Sequence, residues 1–157
     1  MAFVMLDSGP LVLFLCGSVR PDLVGTGKTS NHTLPMFERL SDEISKLREH
    51  ISLPNILTEA SNHLGSGNQQ AVPNAAHALS IYILALNEMY LPSKDVIGIS
   101  EYFNVGLADA AIISCAPRLR KDNVKVFTQD WELYGRLSEH GVDCINIMHW
   151  RTPRKRN

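Results

Sequence analysis

Cysteine is scarce, with three residues in a chain of 157, and an odd, widely spaced set argues against a disulfide framework. Cys16, Cys115 and Cys144 sit in apolar stretches, which predicts reduced, buried thiols. The six histidines form no H-x-x-x-H pair and no Cys-His spacing, so no zinc motif is present. Long apolar runs are also missing. "GPLVLFLC" and "LSIYILAL" are the longest and are too short to cross a bilayer, which predicts no membrane association. "MAFVMLD" has no basic start and meets an acid at once, unlike a secretory signal, so the expected location is cytoplasmic. A charge excess is absent as well: the net charge is -1, and composition alone does not mark a basic nucleic-acid binder. Only the end departs from this balance. "RTPRKRN" gathers Arg151, Arg154, Lys155 and Arg156 into a cationic tail that either contacts phosphates or is simply solvated.

What is present is the composition of an ordinary globular protein, 45% hydrophobic and 20% charged. The length suits one well-buried core. We read a single domain over residues 1–150 and a basic tail over 151–157.

"VGTGKTSNHT" at residues 24–33 carries the Gly-Lys-Thr that closes a phosphate-cradling P-loop. That motif requires glycine five positions before Gly27, with a strand ahead and a helix behind. The position holds Asp22, whose carboxylate would repel a phosphate, and neither flank has the required pattern. The stretch reads as part of a polar loop over 17–33 with one exposed lysine.

Elements alternate along the chain. "MAFVMLD" has strand length and ends at Asp7, with Gly9-Pro10 as the turn out of it. "LVLFLC" suits a short buried helix. From Pro35, Phe37, Leu40, Ile44 and Leu47 recur at helical spacing. "HISLP" is a strand candidate, followed after Pro54 by a helix with Asn55 near its cap and Gly65 beyond its end. "AAHALSIYILALNEM" has helical spacing. "YLPSKDVIGISEYFN" suits a helix capped by Ser93, with a strand near "MYL". "GLADAAIISCA" reads as a helix with Asp109 in its first turn, ended or kinked by Pro117. "VKVFTQD" is a strand, "WELYGRLSEHG" a helix stopped by Gly141, and "CINI" the last strand. Such alternation predicts a parallel α/β sheet with helices on both faces.

In such sheets ligands bind beyond the carboxyl ends of the strands, and this rule sorts the sixteen acids. Asp7 ends the first strand, Asp130 ends "VKVFTQ", Glu59 lies early in the helix after "HISLP", and Asp109 opens the "GLADAAI" helix. All four are expected at one edge of the sheet. Asp42, Glu43, Glu49 and Glu132 fall on polar helix faces or in loops. Converging carboxylates repel and need a cation, and Mg²⁺ or Mn²⁺ suits oxygen ligands. Taken singly, Asp109 and Asp130 read equally well as acids at helix N-termini and Glu59 as a surface residue. Asp7 is harder to read so, because it follows an apolar strand directly, with Ser8 beside it and no basic partner nearby.

The succession "VMLDSGPLV", "LPNILTEA", "GLADAAIISCA", "VFTQDWEL" and "GVDCINI" resembles the PIN-domain nucleases, among them the ribonuclease toxins of bacterial toxin-antitoxin pairs. The resemblance covers nearly the whole chain. It implies a PIN-like three-layer α/β/α sandwich around a parallel sheet of about five strands. It also implies a metal-dependent endoribonuclease that hydrolyses RNA phosphodiester bonds with water activated by Mg²⁺ or Mn²⁺. Asp7, Glu59, Asp109 and Asp130 match the family's catalytic, metal-holding acids, and Ser8 and Thr128 match its supporting hydroxyl residues. Lys28, with Arg151, Arg154, Lys155 and Arg156, is the candidate set for contacting RNA phosphates. Implied partners are RNA and an antitoxin or other inhibitory protein, and the apolar helix surface of a small domain adds a second copy of the chain as a candidate partner.

Two other readings stand beside this one. A non-catalytic RNA- or protein-binding module would tolerate neutral residues where these acids are. A phosphatase of the haloacid-dehalogenase type would want D-x-D after the first strand, where this chain has "DSG".

Overall fold

The computed structural model describes residues 2–151. The first strand, β1 (Phe3–Leu6), is apolar and buried at Val4, Met5 and Leu6, as a central parallel strand covered on both faces must be. β2 (Glu49–Ser52) pairs with it on one side and β4 (Val124–Thr128) on the other. Two edge strands, β3 (Asn87–Glu88) and β5 (Asp143–Asn146), complete a five-stranded sheet in the order β3-β2-β1-β4-β5. Every pairing is parallel.

Eight helices are described: α1 (Ser8–Val19), α2 (Leu34–Ser45), α3 (Pro54–Leu64), α4 (Ala75–Ala85), α5 (Ser93–Val96), α6 (Tyr102–Ser114), α7 (Ala116–Lys121) and α8 (Trp131–Glu139). α1 packs against α2, α3 and α4, whereas α6 packs against α7 and α8. The sheet lies between these two groups, so the expected α/β/α sandwich is the observed architecture. Among the described residues no helix is long and apolar enough to cross a membrane.

The chain leaves β1 toward β2 and β3, then crosses to the other side for β4 and β5. The gap between the ends of β1 and β4 is therefore the topological switch point, where α/β sheets open a crevice. Leu6 and Phe127 are paired and almost wholly buried there. They anchor the two residues that follow them, Asp7 and Thr128.

Several sequence expectations change. The helix expected over "LVLFLC" runs for twelve residues and begins at Ser8. Gly9-Pro10 is thus no turn: both lie in the first turn of α1, where a missing N–H costs nothing. The helix continues past Cys16 to Val19, and Gly17 lets it close on α2, where a β-carbon would collide with the Phe37 ring. α1 is buried around most of its circumference, so it shows no amphipathic stripe for the sequence to reveal. The polar connection shrinks to 20–33 and contains two 3-10 turns, Pro21–Leu23 and Gly27–Thr29.

The helix expected around "SKDVIGISEYFN" is two. α5 is a single turn, and Ser93 is its first residue and gives no side-chain cap. β3 precedes "MYL", although the Met89 N–H still donates to the Ser52 carbonyl at 2.8 Å. Asn55 lies inside α3, whose cap position is Leu53. Glu49, expected on a helix face or in a loop, opens β2. Pro117 occupies the first turn of α7, after α6 has ended at Ser114. The three thiols are free, and Cys144 is only partly buried. Burial pushes Cys16 and Cys115 up to about 11 and Cys144 to about 12.

α6 is interrupted at Gly106, whose backbone (φ 81°, ψ 177°) is not helical. A positive φ of this kind favours glycine. The helix restarts at Leu107, which sets Asp109 in the first turn of the inner segment.

Candidate active site

Each acid is delivered by a different element. Asp7 follows β1 and is the N-cap of α1: its Oδ1 accepts the Ser8 N–H at 2.8 Å. Its Oδ2 accepts the Thr128 hydroxyl, also at 2.8 Å, across the switch point. The Thr128 oxygen in turn accepts the Asp130 N–H at 3.0 Å. Asp130 caps α8, its Oδ1 accepting the Leu133 N–H at 2.9 Å. Both strand-end aspartates therefore combine a helix-capping role with a place in the crevice. Ser8 supports Asp7 through its backbone N–H, not through its hydroxyl as expected.

Glu59 comes from the second turn of α3 and Asp109 from the inner segment of α6. All four acids line one cavity of about 310 Å³ at the carboxyl ends of β1 and β4. The expected convergence is observed.

Burial raises the Asp7 carboxyl to about 6, with smaller contributions from the negative charges of Glu59 and Asp130. The hydrogen bonds from Thr128 and Ser8 act against that rise. Asp109 is pushed up to about 7, first by burial and then by the charges of Asp7, Asp130 and Glu59. Among the described residues the Asp109 carboxyl has no hydrogen-bond partner. Asp7 and Asp109 thus hold their protons to higher pH than an ordinary carboxyl, through burial first and the neighbouring negative charges second. Among the described residues no group of three or more His, Cys, Asp or Glu is assembled as a metal-binding group.

Lys28, from the second 3-10 turn, lines the same cavity. The expectation that its loop reaches the acids holds. Besides Gly9 and Val12, three polar lining residues escaped the sequence reading: His32, His63 and Gln129. His63 Nε2 lies 4.0 Å from Glu59 Oε1, one helical turn away on α3, a spacing visible in the sequence. Gln129 stands between Thr128 and Asp130 in "FTQD". Its Oε1 is 2.6 Å from His32 Nε2, a contact between residues too far apart in the chain for any local pattern to show.

His32 is buried, its Nδ1 has no partner among the described residues, and its pKa is lowered chiefly by desolvation. The positive charge of Arg151 adds to that lowering. The root of the basic tail therefore lies on the His32 side of the cleft. Arg154, Lys155 and Arg156 lie outside the described residues.

No family model, curated protein or solved structure matches the chain. Fold and site together define the class: an α/β protein with an all-parallel sheet and four carboxylates gathered at its switch point.

Proposed function

We propose that this protein is a PIN-like endoribonuclease dependent on Mg²⁺ or Mn²⁺. The observation that carries the reading is the convergence of Asp7, Glu59, Asp109 and Asp130 in one cavity, with Asp7 and Asp109 holding protons to about pH 6 and 7. A cluster of like charges this unfavourable persists where a cation offsets it. The donors suit a hard divalent ion, since all four are carboxylates and Asp109 has no hydrogen-bond partner among the described residues. Asp7, Asp109 and Asp130 would hold the ion, with Glu59 completing the set. Such an ion supplies Lewis acidity and lowers the pKa of water at the scissile phosphate.

The rest of the work belongs to the chain. Thr128 and the Ser8 N–H hold both oxygens of Asp7 in fixed directions, and the α8 cap does the same for one oxygen of Asp130. Lys28 is the cation available in the cavity wall for a non-bridging phosphate oxygen. The reading extends to a toxin of a toxin-antitoxin pair, in which an inhibitory protein covers this cleft.

The test is incubation of the purified chain with a mixed RNA pool in Mn²⁺, Mg²⁺ or EDTA. Cleavage should require metal and leave 5′-phosphate and 3′-hydroxyl ends, while p-nitrophenyl phosphate is not turned over. Cleavage undiminished by EDTA, or turnover of the small ester without cleavage of RNA, overturns the proposal.

A further inference from the structure

A second hollow of about 570 Å³ opens beside the acidic cleft and shares Glu59 with it. One wall is a stripe of α3 made by Asn55, Thr58, Glu59 and Asn62, residues whose spacing sets them on a single helix face. The opposite wall is Leu107 and Ala108, which immediately precede Asp109. Both walls therefore run into the cleft. Tyr90 and Ser93, from the segment after β3, close the third side.

The chemistry of this lining differs from that of the cleft. No Lys or Arg is among its residues, so it offers a phosphate no cation, and the Glu59 carboxylate disfavours one. Beside the Glu59 carboxylate it offers two amides, three hydroxyls, aliphatic surface and an aromatic ring. The side chains of Asn55, Thr58 and Asn62 make no hydrogen bond among the described residues. Tyr90 is 73% exposed, and its hydroxyl donates to Glu88 Oε2 at 2.9 Å, which tethers the ring at its tip.

We propose that this hollow is a subsite for one unstacked nucleobase of single-stranded RNA, whose adjoining phosphate lies in the acidic cleft. The proposal rests on the ribonuclease reading above. Unpaired bases are bound by stacking on aromatic rings and by hydrogen bonds to their edges. Tyr90 is the stacking surface. Asn55 and Asn62, each both donor and acceptor, read the edge. Continuity through Glu59 and Ala108 makes the occupant a neighbour of the scissile phosphate, and a lining whose one charge is the Glu59 carboxylate favours a base over the anionic backbone.

The test uses the full chain carrying Asp109→Asn, inactive on the reading above, with Mn²⁺ present. Fluorescence anisotropy measures binding of a short single-stranded RNA and of a set in which one abasic nucleotide is stepped along it. One abasic position should weaken binding on the order of tenfold. Adding Tyr90→Ala should weaken the intact RNA by a similar factor and remove any further penalty at that position. Tyr90→Phe and Tyr90→Trp should keep the affinity, and Asn62→Ala should change which base is preferred. The exposure of Tyr90 predicts an unchanged thermal midpoint in its variants, measured alongside. Unchanged RNA affinity and base preference in both Tyr90→Ala and Asn62→Ala, with metal-dependent cleavage still present in the chain with native acids, overturns the subsite and leaves the ribonuclease reading standing. No RNA binding by any form overturns both.

Discussion

The hydroxyl of Thr128 donates to Asp7 Oδ2 at 2.8 Å while its oxygen accepts the Asp130 N–H at 3.0 Å. One buried side chain thus ties together the ends of β1 and β4 and the two aspartates that follow them. Thr128→Val should leave the buried Asp7 Oδ2 without a donor and the Asp130 N–H without an acceptor, at a cost of about 2–3 kcal/mol in urea unfolding. It should also raise the Asp7 pKa further, since the Thr128 bond lowers it. Thr128→Ser retains both bonds and should lose less than about 1 kcal/mol. Equal stability of the Val and Ser variants would show that the hydroxyl has no such role.

Stability without metal should depend on pH in a direction set by the two raised acids. From the ordinary carboxylate range near pH 4 up to about pH 7, the unfolded chain releases protons that Asp7 and Asp109 still hold. The folded state then binds more protons, and folding weakens as pH rises. For buried Asp7 alone the loss is about 3 kcal/mol. Asp109→Asn removes one contributor. In EDTA it should be more stable than the native chain at pH 7.5, with the gain shrinking toward pH 4.5. His32 and His50, whose pKa values burial lowers, act in the opposite sense in both proteins, so the comparison reports Asp109 together with its repulsion of the neighbouring acids. A gain independent of pH would contradict the electrostatic account.

Metal should reverse this penalty. On the proposed reading Mn²⁺ or Mg²⁺ would bind the deprotonated acids and stabilise the folded state that holds them. The thermal midpoint should therefore rise on adding metal at pH 7.5 and much less at pH 5, where protons compete. Asp109→Asn should blunt the response at both. A midpoint indifferent to either ion at pH 7.5 would count against a metal site here.

Gly9 lies in the first turn of α1, where a β-carbon would run into the side chain of Gln129, the partner of His32. Gly9→Ala should displace Gln129 and free the connection 20–33, read as faster amide exchange at residues 28–32. In a Gln129→Ala background the same change meets no obstacle and should stabilise the helix by up to about 1 kcal/mol. Unaltered exchange in Gly9→Ala would show that the Gln129–His32 contact does not hold the connection.

The strand-end acids were legible because each follows a short apolar or β-branched run directly, and the alternation of strands with helices fixed which edge they share. Asp109 was legible as a first-turn residue because Gly106 stands just before it. Elements lacking a periodic signal were not. α1 is buried nearly all round, so its length could not be read from a polar face, and β3 has only two residues. The His32–Gln129 contact depends on how the connection 20–33 folds back, which no local pattern encodes. The hollow beside α3 was half visible: Asn55, Thr58 and Asn62 share a helical stripe with Glu59, but Tyr90 joins them only through β3 pairing with β2.

The most direct measurement is single-turnover cleavage of an end-labelled RNA in Mn²⁺ by matched preparations of the native chain, Asp7→Asn and Asp109→Asn. On the proposed reading each aspartate holds the metal, so both variants should lose at least about a hundredfold in rate while remaining folded. Cleavage by either variant at the native rate would contradict the assignment of the cleft, and a native chain that binds RNA without cutting it would make the fold a binding scaffold.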